Sequence, residues 1–140
     1  MRLLPQADME LLYDIDIARY DRKVMEGVGY TQKRFKETFE KFPSISFECD
    51  GKAIGGMVFD GSQVHLVVHP DYHGRWAILW KDALRWMFSL KDTFHLEIER
   101  NNEKCLCFMD KNNWPRIKTD DFFVTYEATL QATPYYKTSK

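Results

Sequence analysis

The sequence predicts a mixed α/β domain: an antiparallel meander, then a parallel strand–helix–strand crossover, then a closing hairpin. Three observations predict it. Asp50-Gly51 and Asp60-Gly61 each stand between alternating apolar runs, and Asp-Gly is a strong hairpin signal because both central residues of a type I′ turn need positive φ. The branched run from Val64 is stopped by Pro70, whose ring nitrogen cannot donate to a ladder, and passes through Tyr72-His73-Gly74-Arg75 into residues of helical period. Phe94 to Glu99 then alternates cleanly, and a right-handed crossover lays such a strand parallel to the one before the helix.

Each element has a local reason. Leu3-Leu4 is a short strand stopped by Pro5. Asp8 caps a helix whose Met9, Leu12 and Ile15 recur at three- to four-residue spacing. Asp21 to Gly29 reads as a loop. Thr31 caps a second helix with the apolar stripe Phe35, Phe39 and Phe42, closed by Pro43, and its Lys33-Arg34-Lys36 cluster is answered by Glu37 and Glu40 on the same helix. Strands follow at Ile45 to Cys49, Ala53 to Phe59 and Gln63 to His69, with Gly55-Gly56 marking a bulge or a close backbone approach. The helix after Gly74 carries Trp76, Trp80, Ala83, Leu84, Met87 and Leu90 on the face that covers the sheet. Asn102 starts a further helix that ends at Asn112-Asn113, either of which tolerates the left-handed C-cap. Arg116 to Thr119, an Asp120-Asp121 turn and Phe122 to Leu130 make the hairpin. The expected organisation is one domain over 1–130 and a polar tail over 131–140.

Bulk composition narrows the class. With 140 residues, 44% apolar and 15% aromatic, the chain has enough material for a core without staples. A net charge of -1 argues against a dedicated nucleic-acid binder. The 3 cysteines, Cys49, Cys105 and Cys107, show no zinc or redox spacing, so no metal is expected and the thiols read as reduced. No apolar run approaches the roughly 20 residues of a membrane span. A soluble, cytoplasmic protein without a membrane partner is expected.

Val64 to Leu84 carries the functional signal. A strand that feeds through a basic, Gly-containing turn into a helix start aims backbone N–H groups and the positive end of a helix dipole at one point. That point suits an anion, and a pyrophosphate in particular.

Two stretches resemble a known family. Val67-Val68-His69-Pro70-Asp71-Tyr72-His73-Gly74-Arg75 is similar to the coenzyme A loop of the GCN5-related N-acetyltransferases (GNATs), a Gln/Arg-x-x-Gly-x-Gly/Ala pattern. Asn102 to Trp114 resembles that family's segment N-x-x-A-x-x-L-Y-x-K-x-G-F, with Asn102, Cys105, Phe108, Lys111, Asn113 and Trp114 in register. The two stretches cover about a quarter of the chain, and the likeness in element order spans essentially all of it. Aligned on Gly74, Trp76 and Ile78 stand where the family has small residues, and Met109 stands where many members carry a tyrosine that protonates the leaving thiolate.

The resemblance implies a GNAT-like fold and an acetyl-CoA-dependent N-acetyltransferase, with acetyl-CoA as cosubstrate. It implies that backbone groups of Val67 and Val68 bond the pantetheine arm, that His73, Gly74, Arg75, Trp76 and Ala77 hold the pyrophosphate, and that Asn102 and Phe108 also border the coenzyme. The acceptor is an amine on a small molecule or a protein, with a homodimer left open. The alternatives are a catalytically silent GNAT-fold assembly or interaction module, of the divergent kind found among phage-encoded proteins, and an acyl-CoA binder without turnover.

Acetyl transfer to an amine needs a base, donors for the thioester carbonyl, and an acid for the thiolate. His65 and His69 share one strand face, and His95, Glu97 and Glu99 share one on the parallel neighbour. A His65–Glu97 pair would poise a base near neutral pH; the competing reading is that these residues form a solvated sheet face. The carbonyl donor is the amide of Val67 or Val68. Cys105 and Cys107 are candidate thiol acids, against a plain reading as small hydrophobes. Tyr72 and Tyr126 are the remaining proton donors. Trp76, Trp80 and Trp86 read as core rather than a ligand cage.

Overall fold

A computed structural model describes residues 1–133. Their backbones gather into two compact units, 1–61 with 65–83, and 62–64 with the residues from 84 onward.

The first unit is built on a four-stranded sheet in the order β1-β2-β3-β4, with β1 at Arg2–Pro5, β2 at Ser44–Cys49, β3 at Lys52–Phe59 and β4 at Val64–Val68. β1 with β2 and β2 with β3 are antiparallel. Helix α1 (Met9–Ile17) is capped as the sequence predicts: Asp8 Oδ1 accepts from the Leu11 amide at 3.2 Å. Its apolar side buries Met9, Leu12, Tyr13 and Ile17 against Phe35 and Val58. Each fully buried large side chain contributes roughly 1.5–3 kcal/mol relative to exposure.

Between α1 and the next predicted helix, the expected loop is a helix, α2 (Arg22–Gly27), capped by Asp21. None of its residues is fully buried and only Met25 packs on the core, so no apolar periodicity existed to announce it. Helix α3 (Gln32–Phe39) starts at Thr31 as predicted, whose Oγ1 accepts from the Arg34 amide. Lys33, Arg34 and Lys36 lie on the solvated face expected of them, and Lys36 there also pairs with Glu10 of α1 at 3.3 Å. Tyr13, Tyr30, Phe35, Phe39 and Phe42 then form a row of tilted and edge-on ring contacts 4.8–6.4 Å apart.

The two Asp-Gly pairs differ. Asp50 and Gly51 have φ of 53° and 80°, the type I′ signature. At Asp60-Gly61 only Gly61 is left-handed, at φ 94°, so this is a wider connection and β4 begins at Val64.

After β4, two one-turn 3-10 segments, Pro70–Tyr72 and Trp76–Leu79, flank the turn 73–75 and precede α4 (Trp80–Leu90). The regular helix therefore starts one turn later than its periodicity suggested. Trp76, Trp80, Ala83, Leu84 and Met87 are buried as expected, whereas Leu90 is partly exposed.

In the second unit, β5 (Thr93–Glu99), β7 (Phe123–Thr129) and β6 (Arg116–Thr119) form an antiparallel sheet in the order β5-β7-β6. The expected parallel partnership of the crossover is present as a single parallel bridge, Gln63 with His95, rather than a ladder. Helix α5 (Glu103–Asp110) begins at Asn102, whose side chain accepts from the Cys105 amide at 3.2 Å. Asn113 takes the left-handed position with φ 63°. At the start of the expected tail Thr133 is fully buried, donates to the Thr129 carbonyl at 2.6 Å and accepts from the Trp114 indole at 3.0 Å. A buried indole N–H requires an acceptor, which ties this stretch down. The rest of the expected tail, 134–140, lies outside the described residues.

Candidate functional site

From His65 onward β4 is the edge strand of its sheet, with β3 beside it. Edge amides and carbonyls are a template for another extended chain. What holds this edge in place is Gly55. A Cβ there would lie 2.2 Å from the Val67 carbonyl oxygen and 2.8 Å from the Val68 Cα, so only glycine lets β3 approach β4 this closely. The predicted bulge is here as well: Phe47 pairs with Gly55 and Glu48 with Ala53, leaving Ile54 as the extra residue. Its carbonyl accepts the His69 amide at 2.8 Å, pinning the end of β4. The Val67 side chain packs on the unit's core and Val68 is buried.

The turn that follows is arranged by its own side chains. His69 Nδ1 accepts from the Asp71 amide at 3.1 Å. The His73 ring donates through Nε2 to the Val68 carbonyl at 2.8 Å, which aims it back at the strand. The Arg75 guanidinium lies 4.6 Å from the centre of the Tyr72 ring. Trp76 is 7% exposed, stacks on Phe47 at 5.5 Å and 22°, and meets Trp80 edge-on at 5.5 Å. Its bulk is therefore spent in the core, and His73, Gly74, Arg75 and Ala77 are all exposed. Around a Cβ built on Gly74 there is nothing within 4 Å; the fold itself has no need of glycine at this position. Ile78, the other bulky departure, points outward at 76% exposure.

Helix caps set this turn apart. Asp8, Asp21, Thr31 and Asn102 each place a side-chain oxygen on an amide of the helix they open. The segment Trp76–Leu79 opens with Arg75, which makes no side-chain cap. An uncapped helical start presents N–H groups to an anion.

His65 stands on β4 with Nε2 2.8 Å from Asp60 Oδ2 and its ring edge-on to Phe39 at 5.2 Å. Glu97 of β5 instead accepts from Gln63 Nε2 at 2.5 Å. The two residues expected as a pair thus each have another partner. Asp60 was missed because Asp before Gly reads as a turn former; its spacing of five from His65, across a connection wider than a tight hairpin, was the available signal. His95 lies 3.4 Å from Glu127, its cross-strand neighbour.

In the second unit, Asn102 is occupied as a cap, Cys105 and Phe108 are half-buried, and Met109 is fully buried. None of the three cysteines forms a disulfide. Tyr126 is fully buried, and its hydroxyl lies 2.8 Å from Asp110 Oδ1 and 3.2 Å from the Leu106 carbonyl. Arg116 forks onto both Asp110 oxygens at 2.8 and 3.2 Å. Burial first, and then the Asp110 carboxylate, push the Tyr126 phenol up to about 12. The Arg116 guanidinium, followed by the Tyr126 hydroxyl, holds Asp110 below the usual carboxylate range. This phenol keeps its proton and has it engaged, so it braces α5 on β7 rather than serving as a spare acid.

No family model matches the chain, and no curated protein matches it significantly in sequence. Solved structures do match its shape. PH1933 of Pyrococcus horikoshii superposes with a TM-score of 0.73 at 16% identity, over 92% of this chain and 98% of that one. The PaiA N-acetyltransferase of Thermoplasma acidophilum, solved in complex with coenzyme A, gives 0.65 at 16%, over 93% and 100%. The N-acetyltransferase PseH of Campylobacter jejuni, in complex with acetyl coenzyme A, gives 0.63 at 15%, over 92% and 98%. The chain has the GNAT fold.

Proposed function

We propose that this protein is an acetyl-CoA-dependent N-acetyltransferase that acts on an amine. The observation that carries the reading is the turn from His73 to Ala77: it is exposed at every residue but Trp76, uncapped where its helical segment begins, and open around Gly74. The amides of His73 and Arg75 close the turn on the Pro70 and Tyr72 carbonyls at 3.2 and 2.9 Å, so a pyrophosphate would lie along the Gly74 and Ala77 amides, with Arg75 as a neighbouring cation. The edge of β4 fits an extended pantetheine arm bonded as an added strand, which would take the place of His73 Nε2 on the Val68 carbonyl, while the Val67 carbonyl faces Gly55 of β3. Two fold neighbours described as N-acetyltransferases were solved with coenzyme A or acetyl coenzyme A, which supports the same cosubstrate here.

Bound acetyl-CoA supplies an activated thioester. The chain's residues then have three tasks. Amides at the end of β4 polarise the thioester carbonyl. His65, with 42% of its side chain exposed, takes the proton that the amine must lose. The thiolate leaves without help from the tyrosine position of α5, since Met109 carries no proton to give; with an ordinary thiol pKa of about 8.5, a thiolate departs without a strong acid. The expected cytoplasmic location fits a chain whose described residues include no helix long and apolar enough to cross a membrane.

Met109 favours a second reading, an acyl-CoA binder without turnover. Calorimetric titration with acetyl-CoA, followed by thiol release in the presence of a panel of primary amines, tests both. Binding with amine-dependent thiol release supports the enzyme; binding alone supports the second reading. No heat at millimolar coenzyme rejects both.

A further inference from the structure

We infer that Asp60 is a positioning residue that fixes the tautomer of His65, so that the acceptor amine's proton is taken at Nδ1. The inference rests on the acetyltransferase reading only for the source of that proton. A carboxylate only accepts, so at 2.8 Å from Asp60 Oδ2 the hydrogen belongs to His65 Nε2, and Nδ1 carries the lone pair. Asp60 is 24% exposed by its side chain, Phe39 of α3 meets the ring edge-on at 5.2 Å, and the ring stays 42% exposed. The ring is thus fixed on two sides and still within reach of a solute.

The contrast between the Asp-Gly pairs gives an independent reason. Asp50 is left-handed at φ 53°, where Asp is favoured for its backbone. Asp60 is not left-handed, so that backbone reason for Asp is missing here, and its carboxylate is instead turned onto His65. No other histidine is held this way. His73 donates to a backbone carbonyl, His69 Nδ1 accepts a backbone amide, and His95 lies 3.4 Å from Glu127 with both side chains well exposed.

In the step assigned to this pair, the amine N–H bond breaks and an Nδ1–H bond forms. The positive charge passes from the ammonium to the ring, where Nε2–H still faces Asp60. The amine keeps its electron pair for the thioester carbonyl.

The test has two arms. Nitrogen-15 spectra of the imidazoles, recorded at alkaline pH where rings are neutral, read the tautomer without any turnover. Wild type should show His65 as a single Nε2–H tautomer, relaxing in Asp60→Ala to the tautomer mixture of a free histidine side chain and standing between the two in Asp60→Asn, whose amide oxygen can still accept; a mixture in wild type equal to that of Asp60→Ala overturns the proposal. In the kinetic arm, Asp60→Ala should lower kcat about 10- to 100-fold with KM for acetyl-CoA unchanged, since a general base is worth about 10²–10⁴; Asp60→Asn, isosteric and safe against a folding defect, should fall between. An Nδ1–H tautomer in wild type, or kcat unchanged in both variants, overturns the proposal. Absence of amine-dependent turnover in wild type overturns the acetyltransferase reading instead, and the spectra then still decide the Asp60–His65 pairing.

Discussion

Trp76→Ala separates a core residue from a ligand residue at the position where the bulk of the side chain most threatens a coenzyme site. The wild-type ring is 7% exposed and has two aromatic neighbours, Phe47 stacked at 5.5 Å and Trp80 edge-on at 5.5 Å. Truncating a buried Trp to Ala costs about 3–5 kcal/mol through lost transfer energy and the cavity left behind, and two ring contacts worth about 0.5–1.5 kcal/mol each place this site in the upper half of that range. For a chain of this size about 1 kcal/mol moves Tm by roughly 3–5 °C, so the expected fall is about 12–25 °C. Thermal melts followed by circular dichroism without ligand measure it, and Trp76→Phe should lose less. A ring standing in the ligand site would behave oppositely, with stability changed within about 0.5 kcal/mol as at other exposed positions. A Tm fall below about 3 °C joined to loss of coenzyme binding would refute the inward placement and the fit built on it.

Other outcomes follow from the same geometry. Gly74→Ala should leave the fold as stable or raise stability by about 0.4–1 kcal/mol, because the position is open and not left-handed; chemical denaturation measures this, and a loss would show that the glycine is structural. Gly55→Ala should destabilise by about 1–3 kcal/mol, since its Cβ would lie 2.2 Å from the Val67 carbonyl oxygen and push β4 aside; a melt and a coenzyme titration should fall together. Tyr126 gives a pH signature. Its folded value is raised to about 12 from the ordinary 10.0, so the unfolded chain loses this proton first. The stabilisation is complete below pH 10.0 and declines as pH rises toward 12. In Tyr126→Phe that alkaline decline should shrink, with about 1 kcal/mol lost at neutral pH for the hydroxyl's bond to Asp110; an alkaline stability profile identical to wild type would sink the assignment.

Much of this molecule was legible before any coordinates. Caps at Asp8, Thr31 and Asn102, the type I′ turn at Asp50-Gly51 and the bulge at Gly55 are local devices, and each is found where its residues announce it. Residues whose role depends on distant neighbours were not. Helix α2 buries no apolar stripe, so periodicity was silent there. Lys36 pairs with Glu10 of another helix, a partner 26 residues away that no local pattern points to. Asp60 has the same dipeptide signature as Asp50, yet its backbone is not left-handed and its carboxylate reaches His65. At the candidate site, the glycine turn could be read from sequence, but the direction of Trp76 could not. A Trp four residues before another can serve either core or cleft, and only its stacking on Phe47 decides.

The backbone of the turn after β4 is the proposed seat of the coenzyme's pyrophosphate, and one comparison addresses that most directly: calorimetric titration of acetyl-CoA into wild type and into Gly74→Trp, alongside melts of both. Space around Gly74 means the variant should fold with an unchanged Tm while its indole covers the amides, so affinity should drop by at least tenfold, or about 1.4 kcal/mol. Equal affinity in two equally stable proteins would contradict the account.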